Sequence, residues 1–464
     1  MNAIRWSNLA SARDAYERGD MRSGAYPIEA FFEVAARCNL HCQMCAINYD
    51  SRYKPRAGRP PFFEPDLFAR LRPIFPSLTR AYLFGLGEPT LNRHLSEYVR
   101  ELSSLGVEVW FNSNATLIDE QLADDLARAG ADRVTVSIDG ATAKTYETIR
   151  RGAKFDAVIR GIRALVAARN RYGRPRVDLS FVAMASNAEE MPMMVDLCAE
   201  LGAFGVHVEP LYLQSASAEL DEHYARENLS ILGAERAAAA FHEASARAKT
   251  RGLLFQSRLK GELEEFDFVK RAKTMTVDWT CSEPWASIWV TSAGEVRTCC
   301  SNDVAFGNLF HQTIDEIWNG ETFRAFRAQH ARHESAIGCG NCILNGRVRH
   351  SPYFRTLHAV TYRPMKFIGA NDTPVVAIDE PRARVTVSDP LIVTGSIADS
   401  NHVEYELMID ETPIANLGAS IVDGDLFTIS VDISFVSEGA HTLWARKRNA
   451  ERGWDHREVF LWRP

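Results

Sequence analysis

The sequence predicts an α/β fold: a partial (β/α)6 barrel, then a small α+β domain, then a C-terminal all-β sandwich. Three observations predict it. Between residues 27 and 210, six short β-rich runs alternate with longer amphipathic segments, the pattern of a parallel sheet built from right-handed crossovers. Five of the nine cysteines then fall between residues 281 and 342, around a hairpin-like pattern. After residue 370 both cysteines and helical periodicity stop, and only alternating runs separated by Gly, Asp, Asn and Pro remain.

Residues 1–26 read as an N-terminal helical extension; "MNAIRWSNLASARDAYERGD" has no continuous apolar run of the kind a signal peptide needs. The barrel is expected over 27–245, with strands in "IEAFFEVA", "RAYLFG", "VEVWFN", "RVTVSID", "RVDLSFVAM" and "FGVHVEP". Helix candidates between them, such as "LSEYVRELSSLG", "DEQLADDLARAG" and "AEEMPMMVDLCAELG", each end in Gly, a common helix stop. Residues 215–250 are rich in Ala and Glu and read as a helical connector. The small α+β domain is expected over 246–366, with a hairpin in "WASIWVTSAGEVRTCC" and a helix in "TIDEIWNGETFRAFRAQH". Residues 367–464 make the sandwich, which resembles immunoglobulin-like accessory domains. Chemistry in parallel α/β sheets collects at the carboxyl ends of the strands. The cysteines of "ARCNLHCQMC" begin just after the first strand.

Composition narrows the classes. Of 464 residues, 46% are apolar and 24% charged, which fits a folded globular chain. The net charge of -7 gives no reason to expect a nucleic-acid polyanion as partner. The one basic island, "RRGAKFDAVIRGIRALVAARNRYGRPR", spaces its arginines like a solvated helix face. No stretch reaches the ~18 uninterrupted apolar residues of a membrane span, so the expected location is the cytoplasm. In a reducing compartment, clustered cysteines read as metal ligands before disulfides. Cys198 stands apart and reads as a small apolar helix residue.

Thiolates are soft ligands suited to zinc or iron–sulfur centres. A closed zinc site wants four ligands, whereas Cys38, Cys42 and Cys45 form CxxxCxxC with no suitable fourth ligand immediately after. Three thiolates on a cubane leave one iron open. This motif after the first strand of a partial barrel resembles the radical S-adenosylmethionine (SAM) superfamily. The resemblance implies that the open iron chelates the amino and carboxylate groups of SAM, whose one-electron reductive cleavage yields a 5'-deoxyadenosyl radical that takes a hydrogen atom from substrate. It also implies further site residues. Met44 sits where the family places an apolar residue against adenine. "GLGEPTL" resembles the GGEP motif that binds the methionine amino group, pointing to Gly87 and Glu88, with Leu86 in place of the first Gly. "NSNATLI" is similar to the TNG segment, with Ser113 and Asn114 matching and Ala115 replacing Gly. "VSIDG" and "YETIRRGAKF" resemble segments that supply a hydroxyl and an arginine, which selects Ser137 and Arg151, with Arg150 as an equally basic neighbour.

Cys281, Cys299, Cys339 and Cys342 form a second set, which can saturate a metal centre; zinc satisfies the coordination chemistry alone. The surrounding sequence, from "CSEPWASIWV" through "FGNLFHQTIDEIWNG" to "GCGNC", resembles the twitch domain, the shortened form of SPASM, which implies one auxiliary 4Fe-4S cluster. The implied cofactors are therefore two 4Fe-4S clusters and SAM, served by an electron donor such as flavodoxin or ferredoxin. Cys300 is the spare thiol.

Two reactions share this machinery. Loss of a proton and an electron from the substrate radical oxidises an alcohol; return of a hydrogen atom from the opposite face epimerises it. Glu209, ending the sixth strand, is the candidate base, with Tyr212 near it, and Cys300 is the candidate hydrogen donor. Twitch-bearing relatives that act on aminocyclitols and oligosaccharide antibiotics make a carbohydrate-type small molecule or oligosaccharide the first expectation for substrate. A ribosomal peptide is the alternative, and a non-catalytic metal-binding scaffold is the reading from a different class. Trp444, Trp454 and Trp462 of the sandwich either pack its core or present an aromatic surface to a sugar.

Overall fold

Strands before residue 211 largely alternate sealed apolar side chains with half-buried, mostly polar or aromatic ones, and that alternation sets the architecture around them. In the computed structural model, the described residues are 3–50, 60–211, 218–257, 281–300, 302, 304–334, 336 and 338–339, together with nine strands between 376 and 463. They fall into two units, Met1–His350 and Ser351–Pro464.

The first unit is built on one ten-stranded sheet. Strands β1 (Glu29–Phe32), β2 (Arg80–Tyr82), β3 (Glu108–Ser113), β4 (Arg133–Ser137), β5 (Arg176–Ala183), β6 (Gly205–Pro210) and β7 (Leu254–Ser257) pair in chain order, all parallel. The first six are the strands expected from the sequence. The seventh was not: the Ala-rich helix Ala234–Thr250 is the crossover from β6 to β7 and packs on the helix Met191–Leu201. At the opposite edge β8 (Ser287–Val290) runs parallel to β1, followed by antiparallel β9 (Glu295–Arg297) and β10 (Gly307–Asn308). The expected hairpin is thus β8–β9, and it extends the barrel sheet.

Helices on the outer face cover Phe32, Ala81, Val109, Phe111, Val134, Val136, Leu179, Phe181, Val206 and Val208, all buried. Their ends follow the sequence signals: Asp119 caps the helix Glu120–Ala129 by accepting from the Leu122 N–H at 2.8 Å, and Gly130 ends it in the left-handed conformation.

The intervening residues face the barrel interior. At the amino ends of the strands they form a charge-balanced floor. Arg80 pairs with Glu29 (3.7 Å) and Glu108 (2.6 Å), and Asp178, sealed from solvent, pairs with Arg133 (2.5 Å) and Arg176 (3.0 Å). Arg80 and Arg133 both lie over the Trp110 ring, at 3.7 and 4.6 Å from its centroid.

In the second unit, β11 (Val376–Glu380), β12 (Val385–Thr386), β13 (Leu391–Ile397), β14 (Tyr405–Ile409), β15 (Thr412–Asn416), β16 (Ile421–Asp423), β17 (Leu426–Val431), β18 (Gly439–Lys447) and β19 (Val459–Arg463) form two sheets, ordered β11-β13-β17-β16 and β12-β19-β18-β14-β15. Trp444 stands opposite Met408 and Trp462 opposite Ala440 in register; Trp454 lies outside the described residues. No helix among the described residues is long and apolar enough to cross a membrane.

Candidate active site

The loop after β1 crosses the carboxyl ends of the strands and is tied down from four directions. Asn92 donates to the carbonyls of Val34 (2.8 Å) and Phe63 (3.0 Å), and the Glu88 N–H donates to the Arg37 carbonyl (2.9 Å). The N–H groups of His41 and Gln43 donate to the carbonyls of Arg151 (2.8 Å) and Ile149 (3.2 Å), and the Tyr224 hydroxyl donates to the Met44 carbonyl (2.9 Å). Any side chain at Gly87 would collide with the carbonyls of Ala35 and Arg37, so this residue has to be glycine for the cysteine loop to lie where it does.

Cys38, Cys42 and Cys45 therefore share one end of the barrel. Burial raises the pKa of each thiol, that of Cys45 to about 12, while the guanidinium of Arg150 works against that rise for all three. The Leu40 N–H (3.4 Å) and the Asn114 amide (3.8 Å) point at the Cys38 sulfur. Among the described residues no three His, Cys, Asp or Glu side chains converge on a single-ion site. A cubane spreads its thiolate ligands over different irons, so the three need not meet at a point. Desolvated thiols beside one buried cation suit such a centre, since metal ligation is what ionises them.

Glu88 is the hub next to the cysteines. It is buried, and its carboxylate accepts from the Thr90 N–H (3.1 Å), the Thr90 hydroxyl (2.6 Å), the Ser113 hydroxyl (2.7 Å) and the Asn114 N–H (2.8 Å). The loops after β2 and β3 are thereby locked together. Ala115, where the resemblance expects Gly, does adopt the left-handed conformation, with φ of 53°. Asn114 donates to Asn39 (2.9 Å) and accepts from Thr116, which joins this loop to the cysteine loop.

Ser137 ends β4, half-buried on the interior face. The two neighbouring arginines are placed differently. Arg151 is exposed, with its guanidinium at Gln43, whereas Arg150 is buried and pairs with Asp139 at 2.7 Å beside Cys42. Burial opposes the Arg150 charge, but Asp139 and Cys42 outweigh it and raise its pKa. Asp139 is sealed, accepts from the Val182 N–H (2.9 Å), and its carbonyl accepts from Asn187 (2.9 Å). Sequence reasoning named Arg150 only as a neighbour of Arg151 and missed Asp139, although it stands in the quoted "VSIDG". It also missed Glu190, which accepts from the Ala141 N–H (2.7 Å) and the Thr145 hydroxyl (2.5 Å) and so fixes the turn after β4. Glu209 is half-buried at the carboxyl end of β6, on the interior face. Tyr212 lies outside the described residues.

The second cysteine set brackets the β8–β9 hairpin. Cys281 precedes it; Cys299 and the exposed Cys300 follow it. Asn302 and Gly338 lie in direct contact, and Gly338 has φ of 77°, so the turn before Cys339 packs against the loop after Cys300. The Cys339 sulfur lies 3.7 Å from the His330 Nε2. Cys342 lies outside the described residues. Cys198 is buried in a helix, its pKa raised to about 12 by burial, and serves packing.

Comparison with known families matches the two segments in which the cysteine sets lie. The family model of the radical SAM superfamily matches residues 32–198, and that of the SPASM iron-sulfur cluster-binding domain matches residues 281–343. The chain carries a radical SAM domain followed by a SPASM domain. Its cofactors are SAM and 4Fe-4S clusters, and it is a radical SAM enzyme with a SPASM region. Cys38, Cys42 and Cys45 would hold the SAM-binding cluster, and the cysteines of 281–343 an auxiliary one.

Among curated relatives, this radical SAM chain is 26% identical over 326 residues to the AdoMet-dependent heme synthase of Methanosarcina barkeri, covering 67% of this chain and 87% of that one. It is 26% identical over 191 residues to the tungsten-containing aldehyde ferredoxin oxidoreductase cofactor-modifying protein of Pyrococcus furiosus; that match covers 39% of this chain and about half, 51%, of the relative. Among solved structures, Streptococcus suis SuiB bound to S-adenosylmethionine is similar with a TM-score of 0.50 and 17% identity, over 65% of this chain and 68% of that one. That likeness is one of fold.

Proposed function

We propose that this radical SAM enzyme oxidises an alcohol carbon of a carbohydrate- or aminocyclitol-type substrate. When bound, SAM and its cluster supply a 5'-deoxyadenosyl radical that takes one hydrogen atom, and one auxiliary 4Fe-4S cluster supplies a one-electron acceptor. The chain supplies the rest. The observation that carries this reading is the polar wall at the carboxyl ends of β4 to β6: Ser137 pairs in register with Ser180, and Glu209 ends the neighbouring strand on the same face. In this reading the serines orient substrate hydroxyls, and Glu209 takes the hydroxyl proton as the carbon gives up its hydrogen atom and an electron. Glu88, Ser113, Asn114 and Ser137 are assigned to SAM, with Met44 against adenine and Arg150 in the place first given to Arg151. Cys300 is the thiol available if the hydrogen atom is instead returned, giving epimerisation. Flavodoxin or ferredoxin is the assigned class of electron donor, and the second unit is assigned to an immunoglobulin-like accessory sandwich, supported by its two sheets.

The test uses the anaerobically reconstituted, dithionite-reduced enzyme in heavy water with candidate sugars, cyclitols and peptides. A product two mass units lighter, formed with 5'-deoxyadenosine, is expected. Deuterium incorporation without net oxidation would replace oxidation by epimerisation, and turnover of peptides alone would overturn the substrate class. Heme precursors belong in the same panel because a relative is named a heme synthase.

A further inference from the structure

The second cysteine set has a polar neighbour that the ligand count does not require. His330 is 5% exposed in the last turn of the helix Glu321–Ala331, and its Nε2 lies 3.7 Å from the Cys339 sulfur, within hydrogen-bond reach of sulfur. The approach is built into the backbone. His333 leaves the helix end in the left-handed conformation, with φ of 56°, and Gly338 turns the chain a second time, with φ of 77°. Any side chain at Gly338 would collide with Asn302, and the Cys339 N–H donates to the Ala336 carbonyl at 3.0 Å. These turns carry the chain back to the end of the helix and set Cys339 beside His330.

The ring is held from the other side. Phe326, one turn earlier on the same helix, meets it edge-on at 4.7 Å, and Phe306 packs edge-on against Phe326 at 4.9 Å. The Phe306 N–H donates to the Val296 carbonyl of β9 at 2.8 Å, so the imidazole, its helix and the hairpin that leads to Cys299 form one packed group. Packing alone does not call for an imidazole here: an apolar side chain would fill the place against Phe326 without the cost of burying ring nitrogens. A sulfur bound to iron carries no proton and can only accept, so this hydrogen bond has one direction, from Nε2–H to sulfur. A donor at a ligand sulfur stabilises the reduced, more negative state of a cluster and so raises its reduction potential.

We propose that His330 is a positioning residue of the auxiliary centre, whose Nε2–H donates to the Cys339 sulfur and raises the reduction potential of the 4Fe-4S cluster held there. No proton is transferred: the cluster takes up or gives back one electron and the hydrogen stays on the ring. The use assigned to the raised potential, making this cluster the acceptor of the electron that leaves the substrate carbon, rests on the proposed function; the hydrogen bond does not.

The test is an EPR-monitored potentiometric titration of the reconstituted holoenzyme, with SAM added so that the signal of the barrel cluster shifts and that of the auxiliary cluster does not. His330→Phe keeps a ring against Phe326 but removes the donor. At the wild-type midpoint its ratio of reduced to oxidised auxiliary cluster should fall about tenfold, or about 59 mV for one electron. His330→Gln restores an N–H donor and should recover most of that shift, and the barrel cluster should keep its potential in both variants. In the unsubstituted enzyme, 15N-histidine labelling should change the nitrogen coupling in the pulsed EPR spectrum of the reduced auxiliary cluster, which decides the matter even where His330→Phe fails to hold iron. An unchanged auxiliary midpoint in His330→Phe, an equal shift of both clusters, no recovery in His330→Gln, or no histidine nitrogen coupling overturns the role. The two readings fail separately. A His330-dependent potential without substrate oxidation leaves the hydrogen bond standing and sinks the reaction, whereas sugar oxidation with an unshifted potential in His330→Phe does the reverse.

Discussion

Glu88 is 3% exposed, yet its carboxylate accepts four hydrogen bonds from two different loops. A glutamine there has one acceptor oxygen and turns an NH2 toward groups that are themselves donors. Glu88→Gln is therefore expected to cost about 2–3 kcal/mol of stability and to weaken SAM binding, read by the urea midpoint and by equilibrium dialysis. The two adjacent arginines separate the same way. Arg150→Met leaves the sealed Asp139 carboxylate unpaired and should cost about 3–5 kcal/mol, whereas Arg151→Ala, at an exposed position, should stay within about 0.5 kcal/mol; matched urea titrations check both. At His207 the direction is set by pH. Burial lowers its pKa against the pull of Asp178, and Arg133 donates to its Nε2 at 2.6 Å, which requires the neutral ring. The unfolded chain thus binds this proton more readily than the folded one, so this contribution to stability is present above the ordinary histidine pKa and is lost as pH falls through it. Stability measured from pH 7.5 down to 5.5 should fall, and His207→Gln should flatten that slope.

At the scale of elements, the helix Ala218–Glu227 lies against the cysteine loop through Tyr224, whose hydroxyl donates to the Met44 carbonyl. Tyr224→Phe removes that donor. It is expected to cost about 1 kcal/mol and to speed iron loss to a chelator severalfold, followed by the decay of visible absorbance. Strands were the most legible elements because a sheet with helices on its outside and a half-open interior alternates strongly, as "VEVWFN" and "RVTVSID" do. β7 was not legible: "LFQS" is too short to show a period and follows an Ala-rich helix that reads as a connector. The pairing of β8 with β1 joins residues more than 250 positions apart, and no local pattern encodes it. Within the site, Gly87 and Glu88 could be singled out from the sequence because a glycine-rich strand end with an acid has a chemical reason. Arg150 and Arg151 were not separable, since both are arginines and the choice is made by the backbone at the end of the helix Ala143–Ile149, where Arg150 leaves helical geometry with ψ of 69° and turns inward.

At the scale of the molecule's first unit, residues 3–26 hold the SPASM helices to the barrel. After the helix Ala3–Arg18 the chain threads between the helices around Trp285 and Trp318: the Trp285 indole donates to the Asp20 carbonyl (2.8 Å), the Trp318 indole to the Ala25 carbonyl (2.7 Å), and Asn319 both accepts from the Ser23 N–H and donates to its carbonyl, each at 3.0 Å. Arg327 is the centre of this clamp. It is fully buried, donates to the carbonyls of Pro284 (2.8 Å) and Met21 (3.2 Å) and to Asn319 (3.2 Å), and lies 4.4 Å from the centroid of the Trp318 ring. Burial pulls its pKa down to about 9, so it remains charged at neutral pH at an energetic cost that these partners offset. Lysine has the charge but neither the planar fork to reach three acceptors nor the face to stack on Trp318. Arg327→Lys is therefore expected to lose about 2 kcal/mol, seen as earlier proteolysis between residues 18 and 27. The clamp holds the helices that lead to Cys339, whereas Cys38, Cys42 and Cys45 are held by the barrel loops. The iron content of the reconstituted variant should accordingly fall from two clusters' worth toward one, while SAM binding at the barrel persists. Equal loss of iron from both sites, or none from either, would show that the N-terminal segment does not act on the SPASM region selectively.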